Sequence, residues 1–470
     1  MAKQRNFLFS ARIPYKIVLN FLPFFNILKL MNFNEVTPMS SCENLLQAIR
    51  AGAYDDALSP LYALDGTQAS LLAARERAAH VIDGFQAFFQ PGDRDVALFS
   101  GPGRTEIGGN HTDHQHGRVL CGSVDLDMLA CAAPNGTRTI RIHSEGYPAL
   151  TVELDELAVK TNEINTSAAL VRGVASKLTD LGYPLSGFDA YATSTVLSGS
   201  GLSSSAAYEV LVGNILNHFC CEDKLDPILI AKIGQYAENV YFGKPCGLMD
   251  QMGSSVGGAV AIDFADPSAP IVVQAGYDFS ASGHALCIVD TGSCHADLTD
   301  DYADIPKEMG AVAAYFGKRF LREVDQADFR ASLPQLREQC GDRAVLRAMH
   351  FFDDDARAAQ EAQALEEGDF DRFLALVDQS GLSSALHLQN TWTISDPRQQ
   401  AIPLCLAVGR ELLGDTGAIR VHGGGFAGTI QAFVPNEKLD AFKSGMEALV
   451  GPGKCHVLHI RPKGGCMVLD

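Results

Sequence analysis

The stretch "SGSGLSSSAAYEVLVGNILNHF", residues 198–219, decides how the rest of the chain is read. The alternating "FDAYATSTVL" (188–197) before it has the pattern of a half-buried strand. After the glycines, Leu202, Ala206, Val210, Leu211 and Ile215 fall on one helical face. A strand that turns through Gly199, Ser200 and Gly201 into a helix begun by Leu202, Ser203, Ser204 and Ser205 outlines an anion site. The glycines let the backbone approach a phosphate, and the free N–H groups at the helix start supply donors and dipole. Serine hydroxyls reach a phosphate oxygen or Mg2+. The pattern is not G-x-x-x-x-G-K-[ST], which needs a lysine, and not G-x-G-x-x-G. Read alone, an N-capping serine behind flexible glycines explains it equally well. A near copy, "SGLSSALHL" (380–388), follows the helical "FDRFLALVDQ" instead of a strand. There Gly381 is expected to cap a helix C-terminus, and no phosphate site is read.

Upstream, "GPGRTEIGGNHTDHQHG" (101–117) crowds three histidines and an aspartate behind a Gly-Pro-Gly-Arg stretch that reads as a turn after the short strand "DVALFS". His111, His114 and His116 suggest a metal. H-x-x-H-x-H, however, matches no standard ligand spacing, and no helix face holds it. The alternative is a pocket for a ligand rich in hydroxyls. Downstream, "GAIRVHGGGFAGTIQAFVP" (417–435) reads as strand, glycine turn, strand.

Composition narrows the rest. A chain of 470 residues is long enough for two domains. With 37 basic against 56 acidic residues, its net charge of −19 repels nucleic acid and anionic membranes, so neither is expected as a partner. The 12 cysteines include no C-x-x-C pair, and scattered thiols suit a reducing compartment, so a cytoplasmic location is expected. The first 33 residues, basic and then apolar, imitate a signal peptide. Asn20, Asn26 and Lys29 interrupt the apolar run, which is about fifteen residues long and short for a bilayer. Translation is expected to begin at Met31, and N-terminal sequencing tests that. Helices are expected over 41–90, 166–181, 227–242, 303–323 and 334–349, and "CGLMDQMGSSVGGAVAIDF" (246–264) is expected as a loop followed by a strand.

Three motifs in this order, "GPGRTEIGGNHTDHQHG", "SGSGLSSSAAYEV" and "VHGGGFAGTIQ", resemble the signatures of the GHMP kinases, from about residue 40 to the C-terminus. Within them, "GR-x(6)-HTD" and "GLMDQ" resemble the galactokinases. The resemblance implies an α+β, two-domain GHMP kinase fold with the active site in the cleft between domains. It implies an extension over 1–35, an N-terminal sugar- and ATP-binding domain over 36–280 and a C-terminal domain over 281–470. It further implies transfer of the γ-phosphoryl of ATP to a sugar hydroxyl, with Mg2+, by a monomer.

Residue by residue, Asp250 takes the place of the catalytic aspartate and Arg104 that of the arginine stabilising the transferred phosphoryl. Gly199, Ser200, Gly201, Leu202, Ser203, Ser204 and Ser205 take the place of the ATP loop, with Ser205 and Glu238 at Mg2+. His111, Asp113 and Tyr302 take sugar-contacting places. Asn110 stands where galactokinases carry a sugar-contacting glutamate. A neutral amide there would tolerate a C6 carboxylate, making galacturonate the alternative substrate. A non-catalytic galactose and ATP sensor is a further alternative, disfavoured because the serine run, Asp250 and Arg104 are all present. Arg104 paired merely with Glu106, and Glu238 as a solvated helix residue, are the bland readings of those positions.

Overall fold

The computed structural model describes residues 40–196, 201–293 and 298–470. The expectations for residues 1–35, for the start at Met31, and for Gly199 and Ser200 lie outside the described residues.

Two sheets organise the chain. In the larger, strands Ser40–Ser41, Asp95–Gly108, Arg118–Pro134, Phe188–Ser194, Thr139–Ser144 and Leu150–Glu153 are neighbours in that order. Cys466–Leu469 also pairs with Asp95–Gly108, and Ala259–Asp263 with Ile271–Ala275 extends from Arg118–Pro134. Thr139–Ser144 runs parallel to Phe188–Ser194; the strands around them are antiparallel. The smaller sheet has the order Ala418–His422, Thr429–Pro435, His284–Asp290, Cys455–Leu458. The α+β class expected from the sequence is the one observed.

Apolar burial explains the arrangement. Helices Cys42–Ala51 and Gln68–Phe89 put Leu45, Ile49, Val81, Ile82 and Phe85 onto the large sheet against Val96, Leu98 and Cys131. Each such side chain removed from water contributes about 1.5–3 kcal/mol. A second core joins the sheets: Ile107, Leu120 and Leu202 pack with Leu286, Ile288, Phe373 and Phe433. Both sheets therefore belong to one compact unit, 40–470.

Five local expectations need correction. The Gly-Pro-Gly-Arg stretch is no turn: Asp95–Gly108 is one continuous strand with register shifts at Pro102/Arg104 and Glu106/Gly108. Gly101 is needed there for contact, since a Cβ would strike the Ala207 carbonyl of the Ser204–Cys221 helix. "MDQMGSSV" is helical (Met249–Val256), not a loop. Met249 and Met252 face the core one turn apart, a spacing hidden by the neighbouring glycines. Gly381 lies inside helix Phe370–Ser383 instead of capping it; a glycine is needed there because Arg420 Cβ and the Ile419 carbonyl come within 2.9 Å of where a Cβ would be. The left-handed cap is Gln389, φ 60°, after the Ser384–Leu388 turn. The expected helix 303–323 is Thr299–Tyr315, and 334–349 divides at Gly341 into Leu333–Cys340 and Asp342–Glu366.

Candidate active site

Arg104 sits in the Asp95–Gly108 strand with its side chain almost wholly buried. Its Nε and Nη2 both donate to Asp250 Oδ1, at 2.8 and 2.6 Å, and Nη1 donates to the Gly201 carbonyl. Its backbone N–H donates to the Leu202 carbonyl at 3.0 Å. One strand residue thus ties the glycine–serine loop to the aspartate at the start of helix Met249–Val256. Asp250 completes the arrangement by accepting Ser203 Oγ on Oδ2 at 2.7 Å. Burial pushes the Asp250 carboxyl up, but the Arg104 guanidinium and the Ser203 hydrogen bond outweigh it, so it is held below the usual aspartate range. The bland pairing of Arg104 with Glu106 is not what forms. Glu106 instead bonds the buried Arg420 at 2.8 Å.

Beside this pair, Ser205 Oγ donates to Glu238 Oε1 at 3.0 Å. Glu238 is 1% exposed, not solvated, because the helix Pro227–Tyr236 widens into a π-turn over Ala237–Phe242 that turns it inward. Lys244 Nζ approaches Glu238 Oε1 at 3.2 Å, and Gln251 Nε2 bridges Glu238 Oε2 (2.8 Å) and Glu209 Oε2 (3.0 Å). Lys244, Gln251 and Glu209 have no role in the sequence reading. Gln251 had a signal, its place beside Asp250 in "GLMDQ"; Lys244 and Glu209 had none short of the fold.

A second group gathers on the glycine turn 423–425. His111, itself at φ 59°, donates Nε2–H to the Gly424 carbonyl at 2.9 Å. Burial, helped by His114, lowers its pKa to about 4, so the ring is neutral with Nδ1 left as acceptor. The Tyr302 phenol donates to the Gly425 carbonyl at 2.8 Å and is raised to about 12, chiefly by burial. Asp113 lies against the segment leading to Asp250: a Cβ on Gly247, three residues before Asp250, would sit 2.5 Å from its Oδ2. His114 lies beside Asp113, whereas His116 stacks on Phe320 with centroids 3.6 Å apart. His111 and His114 are neighbours, ring centroids 6.0 Å apart, while His116 faces Phe320.

Asn110 is placed differently from the expectation. It is 0% exposed. Its amide nitrogen donates to Glu106 Oε1 and the Gly423 carbonyl, both at 2.8 Å, and its oxygen accepts from Asn390 (2.8 Å) and Ser384 (3.2 Å). With every polar side-chain atom engaged by protein, it fastens the glycine turn whose carbonyls accept from His111 and Tyr302.

Two family models match the chain. One is the GHMP kinases N terminal domain, over residues 169–258, and the other is the galactokinase galactose-binding signature, over 83–134. They enclose Ser203, Ser205, Glu238 and Asp250 in one case and Arg104, Asn110, His111 and Asp113 in the other. The chain carries a GHMP kinase N-terminal domain and a galactokinase galactose-binding signature. Among solved structures, the chain is similar to the galactokinase of Lactococcus lactis complexed with galactose, at 23% identity and TM-score 0.69, covering 83% of this chain and 99% of that one. The mevalonate kinase of Methanococcus jannaschii is similar at 16% identity and TM-score 0.56, covering 78% and 99%. The phosphomevalonate kinase of Streptococcus pneumoniae, in complex with phosphomevalonate and AMPPNP, is similar at 13% and 0.51, covering 77% and 98%. The two signatures make the chain a phosphotransferase acting on a sugar hydroxyl. Tyr302 and the 423–425 turn lie outside both matched segments. Among the described residues no helix is long and apolar enough to cross a membrane.

Proposed function

We propose that this kinase transfers the γ-phosphoryl of ATP to the anomeric hydroxyl of α-D-galactose, giving galactose 1-phosphate and ADP, as a monomer in the cytoplasm. The observation that carries the reading is the Asp250 carboxylate, ionised and fixed by Arg104 and Ser203 at the start of the serine-led helix. In the proposed reaction the anomeric oxygen bonds to the γ-phosphorus as the bond from phosphorus to the ADP oxygen breaks. Asp250 accepts the hydroxyl proton. A carboxylate of lowered pKa is a weak base, so that proton moves late, once the new bond has acidified the hydroxyl. The Arg104 guanidinium offsets the charge spread over the phosphoryl oxygens. His111, Asp113 and Tyr302 supply an acceptor nitrogen, a carboxylate and a phenol suited to sugar hydroxyls. The amides opening the Ser204–Cys221 helix are not capped by a side chain, which suits them to phosphate.

The Ser205 hydroxyl and Glu238 carboxylate, 3.0 Å apart, are the hard oxygen donors that Mg2+ takes alongside nucleotide phosphates, so the residues fit that ion. Bound there with ATP, Mg2+ would neutralise phosphate charge. The Asn110 amide, which would tolerate a C6 carboxylate, is consumed inside the protein, so galactose is preferred to galacturonate. An ADP-release assay across galactose, galacturonate, arabinose, galactosamine and glucose, with Asp250→Asn as control, tests the reading. Galactose is expected to turn over fastest; galacturonate exceeding it reverses the substrate assignment. Absence of turnover with any sugar, in both forms, favours a sensor.

A further inference from the structure

Ser203 occupies the N-cap of the Ser204–Cys221 helix, where a serine hydroxyl ordinarily accepts an N–H from the first turn. It makes no such bond. Its Oγ points the other way and donates to Asp250 Oδ2 at 2.7 Å. Its backbone adopts φ 58°, ψ 71°, a left-handed conformation that residues with a Cβ rarely take. Glycine would suit that conformation better, so the backbone gives no reason for a serine here. The hydroxyl does.

Asp250 Oδ1 already accepts two N–H bonds from Arg104. Oδ2 is the oxygen with capacity left for a proton, and Ser203 takes one of its two lone pairs. We propose that Ser203 is a positioning residue. Its hydrogen bond fixes the carboxylate plane so that the second lone pair of Oδ2 faces the acceptor hydroxyl, and the same bond diverts the hydroxyl from capping the helix that receives phosphate. The inference rests on the reading of Asp250 as the proton acceptor.

The test uses the full chain and two variants, Ser203→Gly and Ser203→Ala, each also made in an Asp250→Asn background. Glycine relieves the backbone while removing the hydroxyl; alanine removes the hydroxyl and keeps the strain. Both are expected to lower kcat about 10- to 100-fold with the sugar KM within about threefold, the scale of a small misplacement of a catalytic group. Ser203→Gly is expected to do so with an unchanged or raised Tm, which a purely structural role would not produce. In the Asp250→Asn background neither variant should lower the residual rate further, because the bond's recipient has been altered. Retention of kcat within twofold by Ser203→Gly overturns the proposal. So does a loss confined to the ATP KM, or a loss that multiplies with Asp250→Asn. Wild-type chain inactive on the whole sugar panel overturns the kinase reading and this inference together; active wild type with an unaffected Ser203→Gly overturns this inference alone.

Discussion

Two N–H groups of Arg104 on a single oxygen of Asp250 make a pair that a lysine cannot reproduce, since an ammonium has no planar fork. Arg104→Lys is accordingly expected to lower kcat about 100-fold, and Asp250→Asn by about 10²–10⁴, both with the ATP KM little changed, as steady-state ADP release will show. The pH profile adds a sign. Burial raises the Asp250 carboxyl, and Arg104 and Ser203 more than compensate, so the active, ionised form persists below the ordinary aspartate range and is lost only as pH falls through that depressed value. The acid limb of kcat/KM is expected below the ordinary aspartate range in the wild type. In Arg104→Ala burial is left unopposed by the guanidinium, and the limb is expected to move to higher pH. A limb unmoved by that substitution would assign it to another group.

The strand Asp95–Gly108 and the helix Ser204–Cys221 meet where Gly101 faces the Ala207 carbonyl. Gly101→Ala forces a methyl into that contact and is expected to cost about 1–3 kcal/mol, seen as a lower midpoint in urea unfolding. Elements like these set how much the sequence disclosed. The helix face of Leu202, Ala206, Val210, Leu211 and Ile215 was legible from its period, and all five are buried. Arg104, Asp250, Ser205 and Glu238 were legible as residue types within spaced motifs. The Gly-Pro-Gly-Arg strand was not, because glycine and proline read locally as a turn while the need for them comes from a helix a hundred residues on. Asn110 misled for a related reason. Chemistry suggested what an amide there would accept, but its partners, Glu106, Ser384 and Asn390, converge only in three dimensions. Lys244 and Glu209 belong to that same class of long-range partners.

Across the whole molecule, buried charge holds the two sheets in register. Arg420, in the small sheet, bonds Glu106 and the Ile107 carbonyl in the large one. Arg420→Ala leaves Glu106 buried without its cation and is expected to destabilise by about 3–5 kcal/mol, measurable by calorimetry. Nearby, Glu361 is 0% exposed, and neither of its carboxyl oxygens has a hydrogen-bond partner among the described residues. Burial, reinforced by Asp354, holds its pKa well above the ordinary value. A group whose pKa is raised by folding contributes stability below its unfolded pKa and loses it as pH rises. Glu361→Gln, which fixes the neutral form, is therefore expected to gain Tm relative to wild type progressively as pH rises above the ordinary glutamate range. A difference constant with pH would contradict the protonated state.

The strand Cys466–Leu469 lies beside the strand that carries Arg104, with Cys466 opposite Ser100, 366 positions earlier. On the ribosome that edge of the Arg104 strand stays open until residue 469 has emerged, many seconds after residue 100 at ordinary elongation rates. The catalytic strand is among the early parts synthesised and among the last to be flanked on both sides. Nascent chains released before residue 466 are expected to carry an exposed sheet edge in place of a finished kinase, and so to be clients for chaperones or proteases.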